Sequence, residues 1–232
     1  MSLTNQWLLV ILTAKLTIIS LEERFMPSTR DKIIQNALLL FARKGYQAVS
    51  VQEIARAVGI RAPSLYNHFV SKRAIFDAII HDMTKIYHQQ AAQIGLGWQS
   101  GRQDAQAFAG IGEERLLAMV NNLFVWFLHE PVVSNLRRVL TLSQFEDREL
   151  AALLTKLYME DPLHYQEQLF DVILPATDGT SHSLKALALI FYAPIYFLLL
   201  RCDREPEYEN EARDLLAEHV RNFCRIYTKQ EE

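Results

Sequence analysis

Apolar residues recur at helical spacing through most of the chain, and the segments from Glu113 onward show no alternation with the period of two that marks a strand. The first patterned stretch, Ser28 to about Lys44, turns Ile33, Ala37, Leu40 and Phe41 to one side. Ser28 followed by Asp31 supplies the start of a helix, and Gly45 supplies its end. A second helix begins at Ser50, where Glu53 three residues on completes the pattern of a capping box, and its apolar face is Val51, Ile54, Ala55 and Val58. Gly59 then permits a turn at positive φ and Ile60 fills the corner. A further short helix, Ala62 to Phe69, accepts Pro63 in its first turn, where a missing N–H costs nothing. Leu65 and Phe69 face inward, which leaves Ser64, Tyr66, Asn67 and His68 outward or flanking. Ser71 caps a longer helix that runs to about Ile94 through Ile75, Phe76, Ile79, Met83, Ile86 and Tyr87.

Five of the eight glycines lie between Gly95 and Gly112, so this stretch is expected to be a flexible connection. It is not a phosphate-cradling loop, because Gly95, Gly97 and Gly101 neither follow a strand nor open a helix at the required spacing. Helical patterning resumes with Leu116, Val120, Leu123, Phe124 and Phe127, then a shorter element from Pro131 to Leu142, then Asp147 to Tyr158. Asp161-Pro162 restarts or kinks the chain before Tyr165, Leu169, Phe170 and Ile173, and Asp178-Gly179 marks a turn. Ala186 to Leu200 is the most apolar run, fifteen residues with Pro194 inside, which is short for a bilayer span of about 20 residues. A helix apolar on all sides must be covered on all sides. Ordinary intramolecular core and a subunit interface both satisfy that demand. The last helix, about Glu207 to Tyr227, carries Leu216, Val220, Phe223 and Tyr227 at helical spacing.

Residues 1–27 form an extension of a different kind, with an unbroken apolar run from Trp7 to Leu12, an interruption at Lys15, and a second run from Leu16 to Leu21. It lacks the basic start and small-residue cleavage site of a secretory signal, and Lys15 divides the apolar length. Three readings fit: a natural start at Met26, whose Met26-Pro27-Ser28-Thr29-Arg30 opens directly into the first helix, an additional amphipathic helix on the body, or a weak membrane anchor.

A chain of 232 residues, half of them hydrophobic, can bury one large or two modest cores. The net charge of −3 conceals an asymmetry. Between Ser28 and Ala78, eight basic residues (Arg30, Lys32, Arg43, Lys44, Arg56, Arg61, Lys72, Arg73) oppose Asp31, Glu53 and Asp77. That surplus of five leaves −8 for the remainder: a basic module that tolerates phosphate is joined to an acidic one that should not touch DNA. Cys202 and Cys224 have no metal-binding spacing and read as reduced thiols, with a regulatory disulfide as the alternative. The seven histidines form no short metal-ligand pair and no nucleophile motif is present, so neither catalytic residues nor metal ligands are assigned.

Gly45-Tyr46, Val49-Ser50-Val51-Gln52-Glu53-Ile54-Ala55, Val58-Gly59-Ile60, Ser64-Leu65-Tyr66-Asn67-His68-Phe69 and Ser71-Lys72 resemble the helix-turn-helix of the tetracycline-repressor (TetR/AcrR) family. The resemblance covers about fifty residues, Ser28 to Ile79; the remainder shares the all-helical pattern and length. At Val49 the family more often carries a small polar residue, which would leave Ser50 to make the phosphate contact. The resemblance implies an all-α protein: a three-helix DNA-binding domain at 28–78 after the extension at 1–27, then a helical ligand-binding and dimerisation domain at 79–232. It implies a cytoplasmic regulator, most simply a repressor, that binds a pseudo-palindromic double-stranded DNA operator and is released by a small-molecule effector of unknown identity. It needs no cofactor and no membrane. The homodimer would form through the helices at about 183–201 and 207–227 as a four-helix bundle. A nonspecific or architectural DNA binder is the alternative.

In a helix-turn-helix, the second helix presents its first residues to base edges and flanking groups hold phosphates. Arg61, Ala62, Pro63 and Ser64 are the candidate base readers, Asn67 reads a base or a phosphate, and Ser50, Tyr66, His68 and Lys72 are phosphate contacts. For Tyr66 and His68, packing within the domain is the competing role. Trp126, His129, Phe145, Tyr158, Tyr165, Tyr192 and Tyr196 are candidate pocket residues, which suggests an apolar or aromatic effector.

Overall fold

In a computed structural model, residues 27–97, 100–108, 111–174 and 183–227 are described, and they are helical throughout with no strand among them. The extension before Pro27 and the Asp178-Gly179 turn lie outside the described residues.

Helix α1 (Thr29–Lys44) starts with a complete capping box: the Ser28 hydroxyl accepts the Asp31 N–H at 3.2 Å, and the Asp31 carboxylate accepts the Ser28 N–H at 3.1 Å. Helix α2 (Val51–Val58) starts with half of one. Ser50 Oγ accepts the Glu53 N–H at 3.2 Å, but the Glu53 carboxylate is taken by the Lys44 ammonium, a charged donor that outcompetes a neutral amide. Gly59 then turns the chain at φ 80°, in the left-handed region that favours glycine.

Helix α3 (Ala62–Tyr66) stops three residues earlier than the pattern predicts. The N–H groups of His68 and Phe69 both donate to the Leu65 carbonyl, closing a turn that drops Phe69 into the core. The chain must also be extended at Ser71, which caps α4 (Lys72–Gln93) by accepting the Ala74 N–H at 3.0 Å. Helix α4 crosses the expected boundary at 78/79 without a break.

The glycine-rich stretch departs most from expectation, because it contains helix α5 (Gly101–Phe108). Gly101 is there for close approach: a Cβ on it would lie 2.1 Å from the Tyr165 carbonyl oxygen and 2.8 Å from the Leu169 nitrogen. Helices α6 (Glu113–His129) and α7 (Pro131–Ser143) follow, bent by 67° where Pro131 begins the second. Helix α8 (Arg148–Thr155), capped by Asp147, runs through a π turn (Lys156–Glu160) into α9 (Asp161–Ile173). Pro162 accounts for the irregularity: it has no N–H to offer the Tyr158 carbonyl four residues back, and the Tyr192 hydroxyl donates to that carbonyl at 3.0 Å.

Helices α10 (Leu184–Arg204) and α11 (Glu209–Tyr227) complete the chain, joined by a 3-10 turn at Pro206–Tyr208. At 21 residues, α10 is longer than the apolar run that marks it, and by length and composition it could cross a membrane. Its Leu187, Ala188, Leu198, Leu199 and Cys202 are buried against α6, α9 and α11. Asp203 near its end holds the fully buried Arg137 of α7 through two hydrogen bonds of 2.6 and 2.8 Å, while Arg137 also donates to the Phe127 carbonyl at 3.0 Å. Three helices are thereby joined by one charge pair whose donors are satisfied, the condition under which such a pair is tolerated in a core.

One hydrophobic cluster joins the N-terminal helices to the helical body. Ile33, Phe41, Ile54, Leu65, Ile75 and Phe76 continue without interruption into Val133, Leu136, Val139 and Leu140 of α7 and Leu150 and Leu154 of α8. Two smaller clusters hold α6 to α10 and α11, and α5 to α9 and α10.

Candidate nucleic-acid interface and helical-domain cavity

Helix α3 buries only Leu65. Arg61, Pro63, Ser64, Tyr66, Asn67 and His68 are all exposed and Ala62 is half-buried, so the residues assigned to base and phosphate contact stay accessible. Tyr66 is 50% exposed, so half of its surface is free for contact while the other half packs within the domain. Arg61 has no hydrogen-bond partner on its side chain among the described residues, and Ser50, already an acceptor, keeps its own O–H to donate. Val49 is buried in the shared core rather than placed for solvent contact.

Lys72 is placed differently from the phosphate contact expected of it. Its ammonium donates to the carbonyls of Tyr46 at 2.9 Å and Val49 at 3.0 Å, reaches Gln47 at 3.4 Å, and sits 4.4 Å from the centre of the Tyr46 ring. Burial holds its pKa below the usual lysine value. The side chain pins the segment between α1 and α2 onto the start of α4. Tyr46 in turn packs its ring on Phe41 and Phe76, with centroids 5.1 and 5.3 Å apart. Its position in the motif signalled this role only faintly, since the partners lie far off in sequence. Arg73, next to Lys72, pairs with Asp77 and with Glu149 of α8.

A cavity of about 460 Å³ lies within the helical body, within the range of small-molecule sites. Helix α4 contributes Met83, Thr84, Tyr87 and His88; α6 contributes the stripe from Leu116 to Phe127; α9 and α10 contribute Tyr165, Gln166, Phe191 and Tyr192. Of the seven aromatic and polar candidates, Tyr158, Tyr165 and Tyr192 line it. The other four do not. Trp126 turns its ring edge-on to Tyr87 and Phe127, at 5.3 and 5.0 Å, outside the lining. His129 is exposed and bonds Glu209 at 2.9 Å. Phe145 is 91% exposed on the turn after α7. Tyr196 stacks on Tyr158 and Tyr192 without itself reaching the cavity. Gln166 and the α6 stripe were missing from the expected lining because helical spacing alone cannot separate a core face from a cavity wall.

The tyrosine hydroxyls around this space are engaged by protein. Tyr158 donates to the Val133 carbonyl at 3.4 Å and is hydrogen-bonded to Tyr87; Tyr165 donates to Asp104 at 2.9 Å. Burial raises all four phenols, Tyr87, Tyr158, Tyr165 and Tyr192, and takes Tyr158 to about 12. Among the described residues no group of three or more His, Cys, Asp or Glu side chains is placed to hold a metal, and both cysteines are free thiols.

Residues 33–79 match the family model described as bacterial regulatory proteins of the tetR family. The biofilm operon icaADBC negative transcriptional regulator IcaR of Staphylococcus aureus is 48% identical over 48 residues, 21% of this chain and 26% of that protein. The transcriptional repressor KstR2 of Mycolicibacterium smegmatis is 40% identical over 55 residues, 24% of this chain and 27% of that one. The matched region thus spans about a quarter of each relative's length. Among solved structures, SmeT, the repressor of a Stenotrophomonas maltophilia multidrug efflux pump, superposes with a TM-score of 0.56 at 16% identity, covering 86% of this chain and 90% of its own. NalD, the secondary repressor of a Pseudomonas aeruginosa multidrug efflux pump, superposes at 0.54 with 23% identity, covering 83% and 94%. At these identities the two structures establish a common all-helical fold beyond the matched N-terminal segment.

Proposed function

We propose that this chain, whose N-terminal domain belongs to the tetR family of bacterial regulatory proteins, is a dimeric, sequence-specific transcriptional repressor released from its operator by a small molecule. One observation carries the reading: α4 starts at the helix-turn-helix with Ser71 and Lys72, and its other half supplies Met83, Thr84, Tyr87 and His88 to the cavity. A single rigid element therefore touches both the DNA reader and the ligand space. A ligand that fits the cavity better in one setting of α4 shifts the population toward that setting. By reciprocity it binds more weakly when operator is present.

One short helix reads few base pairs, so two readers roughly 34 Å apart on a pseudo-palindrome are required. Helices α10 and α11 supply the interface in this reading. Leu189, Ile190 and Phe197 on α10 and Leu215 and Ile226 on α11 are apolar and exposed, and pairing the two helices with their symmetry mates would cover them. Arg61, Ala62, Pro63 and Ser64 face the bases, Asn67 a base or a phosphate, and Ser50, Tyr66 and His68 the phosphates. The protein acts in the cytoplasm without membrane, metal or cofactor.

The test is a gel shift on DNA upstream of the protein's own gene, with nonspecific competitor at moderate salt. A discrete complex of two chains per site, lost with Tyr66→Ala and altered in sequence preference with Arg61→Ala, is expected. Binding that bulk competitor removes completely would favour a nonspecific architectural role instead.

A further inference from the structure

Helix α5 stands in the chain between α4 and α6, which both line the cavity, and the stretch that joins them adds Leu96, Gly97 and Phe108 to the wall. Its seat is polar. Ala105 is the one buried apolar side chain of the helix, and Phe108 is half-buried. Hydrogen bonds and an ion pair hold the rest to α9: Ser100 donates to Gln168 at 2.8 Å, Arg102 pairs with Asp171, and the Asp104 carboxylate accepts the Tyr165 hydroxyl at 2.9 Å. Lifting α5 from α9 therefore uncovers one methyl group and part of one ring, while the polar groups exchange their partners for water. Segments seated with so little apolar burial open far more readily than the whole fold.

Tyr165 ties this seat to the cavity, because it lines the space and its hydroxyl holds Asp104. The other oxygen of the same carboxylate accepts the Gly97 N–H at 2.8 Å. One buried acid thus fastens the chain before α5, α5 itself and the α9 wall. The two ends are suited to turning: Gly95 has φ 74°, and at both Gly95 and Gly112 the place of a Cβ is open space.

We infer that α5 is a lid of the cavity, latched by the Tyr165 hydroxyl on Asp104, and that it lifts as a unit between Gly95 and Gly112 to admit a small molecule. This rests on the reading of the cavity as the effector site and adds how that site is reached. Entry and exit of an effector wait on the same opening.

The Cys224 thiol reports the opening on the full chain without any ligand. It lines the cavity near the start of α6, where burial and then the Glu113 carboxylate raise its pKa. Cys202 is buried among α6, α10 and α11, outside the lining, and reports general unfolding. Alkylation by iodoacetamide, mapped to each cysteine by peptide mass spectrometry, is followed beside amide hydrogen exchange. Tyr165→Phe removes the latching donor and keeps the ring. Cys224 alkylation and exchange across α5 should both quicken about tenfold, the worth of a hydrogen bond to a charged acceptor, with Cys202 and the amides of α6, α10 and α11 unchanged. Ser100→Ala removes a neutral hydrogen bond of the same seat and should quicken the same two signals about threefold, which carries the test if Tyr165→Phe loosens the whole fold. A rise in one of the two signals without the other overturns the inference, because lifting α5 and exposing the thiol are then separate events. Equal acceleration of both cysteines in both variants overturns it as general unfolding, and so does no change in either variant. The labelling needs neither operator nor effector, so it can fail while the gel shift succeeds, and the reverse.

Discussion

The main-chain N–H of Tyr46 donates to the Ser143 hydroxyl at 3.1 Å, a hydrogen bond across 97 positions that fastens the turn between α1 and α2 to the end of α7. Ser143 is 1% exposed, and its oxygen is also the nearest atom to where a Cβ on Gly45 would lie, at 3.8 Å. The helix-turn-helix is therefore seated on the helical body by backbone as well as by the shared cluster. A movement of α7 must carry the turn with it.

Ser143→Ala leaves the Tyr46 N–H buried and unpaired, which costs about 1–3 kcal/mol. Urea unfolding followed by circular dichroism should show a lower midpoint with an unchanged slope. A midpoint equal to that of the unaltered protein would mean that another acceptor takes the N–H.

The position of Lys72 changes what its removal should do. An ammonium that contacts phosphate adds about one to the slope of log affinity against log salt, whereas one that holds carbonyls does not. Lys72→Met should therefore lower stability by about 1–3 kcal/mol and weaken operator binding while leaving the salt slope nearly unchanged. Arg61→Ala, which removes an exposed guanidinium with no side-chain hydrogen-bond partner among the described residues, should alter the preference at one base position or reduce the slope by about one, with little change in the unfolding midpoint. Interchanged behaviour of the two variants would place Lys72 at the phosphates after all.

Much of the N-terminal half is legible because its signals are local. Ser28, Ser50 and Ser71 each accept an N–H three residues on, and Gly45 and Gly59 each end a helix at positive φ, so the residues that decide α1, α2 and α4 lie within those helices or beside them. What escapes is decided at a distance. Gly101 reads as a loop residue until the backbone of α9 is seen against it, and the second half of the Ser50 capping box is lost to a lysine nine positions away. The Lys72 ammonium is held by carbonyls 23 to 26 positions upstream. Spacing cannot say on which side of a helix a cavity opens. Phe145 and Tyr158 are both aromatic residues in patterned segments, yet one is 91% exposed and the other 3%.

Gly101→Ala tests whether that close approach holds α5 in place. A methyl group 2.1 Å from a backbone oxygen cannot be relieved by rotating a side chain, so α5 must move away from α9. The expected cost is about 3 kcal/mol. Amide hydrogen exchange should quicken in α5 and in the facing part of α9, with protection in α1 to α3 retained. Uniform loss of protection over the whole chain would instead make α5 part of the global folding unit.

The buried tyrosines predict how stability responds to alkali. Tyr158 has a folded pKa of about 12, against about 10 when unfolded, because burial penalises the phenolate. A raised folded value gives stability that is fully present below the unfolded pKa and is lost as pH rises through the folded one. The window is therefore about pH 10 to 12, and Tyr158 alone accounts for roughly 3 kcal/mol across it. Tyr87, Tyr165 and Tyr192 shift in the same direction and steepen the decline. Tyr158→Phe removes one titrating group, at the cost of the hydrogen bond to Val133 and the one with Tyr87. The variant should be less stable at pH 8, yet its stability should fall with pH by about one proton less in slope, so that the two curves converge toward pH 12. Urea midpoints measured in steps from pH 8 to 12 would decide the matter. Parallel curves would show that Tyr158 ionises without unfolding the wall, and that the cavity already admits water at neutral pH.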